Sequence, residues 1–534
     1  MKLTKETLAQ RQEWEKIGVR IPAYDYPEMV EYTRRHPVWL HIGPGNIFRA
    51  HIAMLQQKLL DMGVCKGGII AAAPNNREII DKIYAPHDNL SVLVRMHGNG
   101  QMDKEVIASI AESLAMVPTD EDWQRLLAIA ADKDLAIISF TITEKGYKTK
   151  DDNGMWLEAV QKDLAEGPQK VNSFAGKLTA LLLHRFNAGG VPVTLLSLDN
   201  CAHNGDVLRE MVLQVAGAWQ KQNYVSDAFM EYVSQKISYP CSMIDKITPR
   251  PSGYVRDLLL KDNLEDMDFV KSSRGGWYAP FVNAEKTEYL VIEDNFANGR
   301  PPLEKAGVIF TDRETVDKVE QMKVGTCLNP LHTALAIFGC LLGYESIAAE
   351  MKDEDLRALV ERIGYQEGLP VVENPKVLEP KAFLTECIEQ RFPNPYIPDT
   401  PQRIACDTSQ KLPVRFGNTV RAYRDSAQLD IRNLQGISLV YAGWLRYLLG
   451  IDDKGEKFAP NADPLLAAMQ EKLRGIKLGH LEHVHERLNE ILEQEELWGC
   501  DLHKAGLAKM VEDDFICMLS GAGAVRRTLH KLSA

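Results

Sequence analysis

Residues 323–332 read Lys-Val-Gly-Thr-Cys-Leu-Asn-Pro-Leu-His, so a lysine (Lys323), a primary amide (Asn329) and an imidazole (His332) fall within ten positions, just before an apolar run over 333–344. A desolvated lysine works as a general acid or base near neutrality. An amide N–H can hold a substrate oxygen on which charge develops. The same residues also spell an ordinary helix start, with Asn329 as N-cap, Pro330 in the first turn and His332 turned inward.

Other stretches place polar groups where a sheet would present them. His41-Ile-Gly-Pro-Gly-Asn-Ile-Phe-Arg49 follows an apolar run and opens a helix. A dinucleotide pyrophosphate sits on helix N-terminal amides at such a turn, which makes Gly43, Gly45, Asn46, Ile47, Phe48 and Arg49 the candidate cofactor residues. Phe48 stands where the third glycine of the usual fingerprint would be. The acid expected after the second strand is missing, and Ala73-Pro-Asn-Asn76-Arg77 stands there instead. Asn76 can bond a ribose hydroxyl and Arg77 can accept a 2′-phosphate, so these residues leave both NAD and NADP open. Glu144 (in 139–147), Asn200 (in 197–205) and Asp245 (in 243–249) follow further strand candidates, where open α/β sheets bind ligands. Arg403, Lys411 and Arg415 put three cations in thirteen residues, a pattern that suits a carboxylate-bearing substrate or a plain surface cluster. His480, His483 and His485 lie in a charged helical pattern that reads as a solvated face, and no metal site is expected. No P-loop, GxSxG or HExxH occurs.

These groups need a scaffold. Apolar runs at 38–42, 68–73, 92–95, 135–140 and 193–198 alternate with helical patterns such as 47–62 and 123–131, which predicts a doubly wound parallel sheet. Long helical patterns at 330–343, 344–364, 380–390, 430–449, 464–475, 481–497 and 500–520 follow. The expected organisation is a Rossmann-like α/β domain over 1–300, with a helical lead-in at 1–35, and a mostly α-helical substrate-binding domain over 301–534. With 62 basic and 74 acidic residues the net charge is −12, which argues against nucleic acid and anionic membrane as partners. The longest apolar run is too short for a bilayer, and the N-terminus has no signal-peptide core. Nine scattered cysteines without a CxxC pair suit a reducing cytoplasm.

In order, GPGNIFRAH, TITEKGY, SLDNCAHNG, MIDKITP, IEDNFANGRP, the 323–332 stretch and RIACDTSQK resemble the polyol-specific long-chain dehydrogenase/reductase family, over about residues 38–415. The N-terminal wording is most similar to its fructuronate reductase branch. The resemblance implies a zinc-independent, NAD-dependent oxidoreductase interconverting D-fructuronate and D-mannonate. Lys323 would be its acid/base, and Asn200 and Asn329 would donate to the reacting oxygen. His332, Arg403 and Lys411 would hold the sugar acid, with Asp245 and Glu144 near the lysine for substrate contact and proton access. Tagaturonate reductase and mannitol 2-dehydrogenase activities are the rivals within the family, and a dinucleotide-binding sensor without catalysis is the rival outside it. Oligomeric state is left open, with a monomer sufficient.

One departure bears on the chemistry. The family has four residues between the lysine and the asparagine, and this chain has five. At about 100° per residue, Lys323 and His332 would then point about 180° apart on a regular helix. A shared site requires either a π-bulge or a break at Gly325 or Asn329-Pro330.

Overall fold

The computed structural model describes residues 1–533. Five parallel strands form a sheet in the order Ile110–Ala115, Ile69–Ala73, Trp39–Ile42, Ile137–Phe140, Thr194–Ser197. Counted along the chain this is order 3-2-1-4-5, the doubly wound arrangement in which the strand order reverses beside the first strand. Alternate residues serve two cores. Leu40, Ile42, Ile70, Ala72, Ile138 and Phe140 pack on one face with residues such as Leu126, Leu178 and Val212 of covering helices. Trp39, Ile69, Ala71, Ile137 and Leu196 pack on the other face with Met54, Leu55 and Leu59. Burial on both faces is why these strands read as unbroken apolar runs.

The run at 92–95 is a strand, but of a different sheet. Ser91–Met96 pairs with Met102–Ile107 and Phe281–Glu285, and Val19–Arg20 completes that four-stranded sheet. The third strand of the parallel sheet is instead Ile110–Ala115, an edge strand whose half-buried Glu112 and Ser113 break the apolar pattern. A third sheet orders Ile309–Thr311, Tyr289–Glu293 and Ser242–Asp245.

The chain divides into two compact units, Met1–Val316 and Asp317–Ala534, so the division falls past the Gly-Arg-Pro-Pro segment at 299–302. The second unit is helical. Its central helices, Asn329–Leu342 and Gln435–Leu448, are almost wholly buried and pack on one another. Gly443 permits their close approach, since a Cβ there would lie 2.7 Å from the Phe338 ring. The helical stretch Arg313–Leu342 is long and apolar enough to cross a membrane, but its apolar window is mostly buried inside the protein, as a core helix is. Several long helical patterns are interrupted. Within 344–364, for example, Asp353 accepts from the amides of Asp355 and Leu356 and starts a new helix, Glu354–Glu361. Residues 481–497 likewise form a shorter helix, Val484–Leu492, with His483 outside it in the left-handed region.

Candidate functional site: a dinucleotide crevice and a buried lysine

After Ile42 the chain turns into a helix through two glycines with different constraints. Gly43 has φ of 106°, and a Cβ there would lie 2.2 Å from the Thr141 carbonyl oxygen. A Cβ on Gly45 would meet nothing within 4 Å. Gly43 is therefore fixed by the neighbouring strand, while Gly45 leaves open space over the first amides of the helix at Asn46 and Ile47. A cavity of about 240 Å³ opens here, lined among others by Gly43, Gly45, Asn75, Asn76, Thr143 and Tyr278. Phe48 replaces the third glycine with a different packing device: its ring stacks on His41 at 4.1 Å. The two His41 ring nitrogens lie 2.7 and 2.9 Å from the hydroxyls of Ser139 and Thr141, which ties the helix start to the fourth strand.

Two of the candidate cofactor side chains point elsewhere. Arg49 is fully buried and donates to Ser91 Oγ and to the Ala279 carbonyl, 2.8 Å away. It also donates to Asn46 Oδ1, and the Asn46 amide donates to the Pro249 carbonyl. Both side chains thus anchor the turn, and the backbone faces the cavity. Asn76 Oδ1 accepts from the Glu78 amide in a local turn. Arg77 Nη1 lies 2.7 Å from both Asp120 and Asp122, with Asp81 3.4 Å from its Nε.

The ends of the fourth and fifth strands are joined by a residue that sequence reasoning passed over. Asp199 accepts from the amides of Ile142 (2.9 Å) and Thr143 (2.8 Å) and from the Tyr147 hydroxyl (2.6 Å). Burial pushes its carboxyl up, against these three hydrogen bonds. Asp199 thereby fixes the 141–147 loop, including the positive φ of Thr143, beside exposed Asn200. Glu144 is exposed on the turn Glu144–Tyr147. Buried Asp245 ends the strand Ser242–Asp245, whose Ser242 hydroxyl donates to the Ser197 carbonyl.

In the helical unit, Lys323 is 4% exposed and begins a π-helical turn, Lys323–Cys327. The Leu328 amide bonds the Lys323 carbonyl, and Leu328, with φ −129° and ψ −62°, departs from helical geometry before Asn329–Leu342 begins. The extra residue is therefore absorbed as a π-bulge. A π-bulge by itself shortens the rotation over the nine-residue step from Lys323 to His332 to about that of eight α-helical residues, about 80° instead of about 180°. The Asn329 carbonyl accepts from Arg415, which also donates to Thr333 Oγ1.

His332 Nε2 lies 3.0 Å from Asp399 Oδ2. Burial pulls this imidazole below its usual value against the pull of Asp399, so it is neutral at pH 7 and donates through Nε2. Asp399 also receives Nε and Nη2 of Arg403 at 3.0 and 2.6 Å. Burial pushes Asp399 up, but His332 and Arg403 prevail and hold it low. The Arg403 side chain is 65% exposed, so one end is anchored and the other is presented to solvent. Lys411 donates to the carbonyls of Ile404 and Cys406. Burial, assisted by Arg415, pushes it down to about 8. The structure brings His332 and Arg403 together through Asp399, while the Lys411 amine faces backbone. Asp399 lies in a Pro-rich loop, PNPYIPDT, with no motif to mark it; its place four residues before Arg403 is the one signal available. Histidines 480, 483 and 485 pair with Glu482, Glu486 and Glu512.

This combination, a 3-2-1-4-5 sheet with a glycine turn at its switch point and a helical unit after it, is that of a dinucleotide-binding oxidoreductase. The Mannitol dehydrogenase Rossmann domain matches residues 38–305, and the Mannitol dehydrogenase C-terminal domain matches 315–518. The chain belongs to the mannitol dehydrogenase family and is an oxidoreductase. It is 47% identical to a D-mannonate oxidoreductase of Thermotoga maritima, over 100% of this chain and 99% of the relative. It is 30% identical to a polyol:NADP oxidoreductase of Gluconobacter oxydans, over 88% and 90%. Among solved structures, a Pseudomonas fluorescens mannitol 2-dehydrogenase in ternary complex with NAD and D-mannitol superposes with a TM-score of 0.74 at 27% identity, covering 100% of this chain and 99% of that one. The open space at Gly45 and the amides beneath it fit a nicotinamide dinucleotide.

Proposed function

We propose that this oxidoreductase is an NAD-linked reductase of a keto-uronate, with D-fructuronate and D-mannonate as its substrate pair. The observation that supports the reading is Lys323, buried at the start of a π turn, in a chain 47% identical end to end to a D-mannonate oxidoreductase. Arg403 adds a partly anchored guanidinium suited to a carboxylate. NAD rather than NADP is favoured because Arg77, the cation that follows the second strand in sequence, is already held by three carboxylates.

Nicotinamide supplies the hydride when bound. Lys323, as ammonium, protonates the substrate oxygen as it becomes an alkoxide, and the Asn200 and Asn329 amides donate to that oxygen. His332, neutral with Nε2–H held by Asp399, offers Nδ1 to a substrate hydroxyl. Arg403 keeps Nη1 for the carboxylate, and the Lys411 ammonium adds positive potential. The added residue that favoured a silent sensor is absorbed by the π turn, which removes the ground for that alternative.

The test is the fall in NADH absorbance with D-fructuronate, tagaturonate and fructose supplied in turn. The highest kcat/KM is expected with fructuronate. A higher value with tagaturonate or with fructose would reassign the substrate.

A further inference from the structure

The second strand ends without the acid that usually binds the ribose of NAD, and Arg77 is turned away, so something else must border the adenosine ribose. The hairpin Val270–Lys271 and Trp277–Tyr278 supplies it. Its tip is latched to the residue following Arg77: the Ser273 amide and hydroxyl both donate to the Glu78 carboxylate, at 3.0 and 2.8 Å. Tyr278, at the hairpin's end, lines the same cavity as Asn75 and Asn76. Beneath it, buried Lys177 donates to the Pro74 carbonyl at 3.0 Å. Arg274, between Ser273 and Gly275, is exposed, and among the described residues no carboxylate pairs with it. Burial first, and then the charge of Arg274, lowers the Lys177 ammonium against the pull of Asp163, so the two cations share one electrostatic neighbourhood. The acid of the latch, Glu78, is committed to Ser273 and Lys82.

We propose that Arg274, held over the end of the second strand by the Glu78–Ser273 latch, is a cofactor-discriminating residue that accepts a 2′-phosphate on the adenosine ribose, with Lys177 adding to the same positive site. The inference rests on the dinucleotide reading of the crevice. It gives the protein a usable affinity for NADPH beside its preference for NADH. The discrimination is weak because no free carboxylate stands at the ribose to repel the phosphate, and a planar guanidinium is the group best shaped to bind one.

The test uses two probes without nicotinamide, adenosine 5′-monophosphate and adenosine 2′,5′-bisphosphate, with dissociation constants measured by calorimetry and by fluorescence of Trp277, which is 43% exposed on the hairpin. The unmodified protein is expected to bind the bisphosphate more weakly than the monophosphate but within about tenfold of it, with the bisphosphate affinity falling at high salt. Arg274→Ala is expected to weaken the bisphosphate about tenfold or more while changing the monophosphate about twofold or less, and Arg274→Lys to recover part of the loss. An unchanged melting temperature shows that the fold is intact. Rejection of the bisphosphate by the unmodified protein, or equal effects of Arg274→Ala on both probes, overturns the role of Arg274. Failure of the unmodified protein to bind either probe overturns the dinucleotide reading beneath it.

Discussion

The Leu328 amide donates to the carbonyl of Lys323 at 3.2 Å, five residues back instead of four. That single hydrogen bond makes the turn a π turn, which takes up one residue more than an α-helical turn and so shortens the rotation from Lys323 to His332.

Deleting Val324, a half-buried residue inside the π turn, should convert the turn to regular α-helix and leave the order of functional groups intact. Activity is expected to stay within about tenfold, well short of the about hundredfold that a 1 Å misplacement of the acid would cost. A folded deletion variant with no activity, by circular dichroism and NADH oxidation, would mean the bulge itself shapes the site.

The His332–Asp399–Arg403 arrangement yields a substrate-dependent pattern. Arg403→Met removes a charge-assisted bond worth roughly 1.5–3 kcal/mol, or about 10- to 150-fold in kcat/KM for a uronate, with little effect on fructose. Asp399→Asn should lower uronate turnover by a comparable factor, because Arg403 loses its anchor and His332 its acceptor. Equal losses on uronate and fructose would make Arg403 structural.

Cofactor preference should survive Arg77→Ala. The three carboxylates around Arg77 occupy it in the free protein, so its removal should cost under about 1 kcal/mol of stability and leave the NADH to NADPH ratio of kcat/KM in place. A shift of that ratio toward NADH would show that Arg77 reads the 2′-phosphate.

Acid should destabilise the first unit in a predictable way. Burial lowers His41 to about 3 and His51 to about 4, from an ordinary 6.5. Each stays neutral when folded but protonates when unfolded, so stability is full above pH 6.5 and falls as pH drops from there toward the folded values. The loss is about 1.4 kcal/mol per pH unit for each histidine. His51 Nδ1 has no partner, so His51→Gln should remove about one proton from the uptake on unfolding, read from urea midpoints between pH 5 and 7. An unchanged slope would place His51 outside this linkage.

Much of the parallel sheet was legible because its central strands are buried on both faces and advertise themselves as apolar runs. The edge strand Ile110–Ala115 was hidden by Glu112 and Ser113, and the run at 92–95 belongs to another sheet because apolar runs carry no information about partners. The glycine turn at 43–45 and the departure from regular helix after Lys323 could be read from residue type and spacing. Arg49 misled, since a cation beside a phosphate-binding turn looks like a ligand until its guanidinium is seen in the core with Ser91 and Ala279. Asp199 and Asp399 escaped because they act by organising other groups, and hydrogen bonds to distant amides leave no local pattern.

The central claim is proton transfer by Lys323, and the most direct measurement is reduction of D-fructuronate by Lys323→Ala with NADH binding monitored in the same samples. The expected result is a fall in kcat of about 10²–10⁴-fold with the NADH dissociation constant unchanged, because the dinucleotide turn lies in the other unit of the chain. Retention of kcat within a few-fold, with NADH bound normally, would contradict the assignment of Lys323 and with it the account of the π turn as a device that positions the acid.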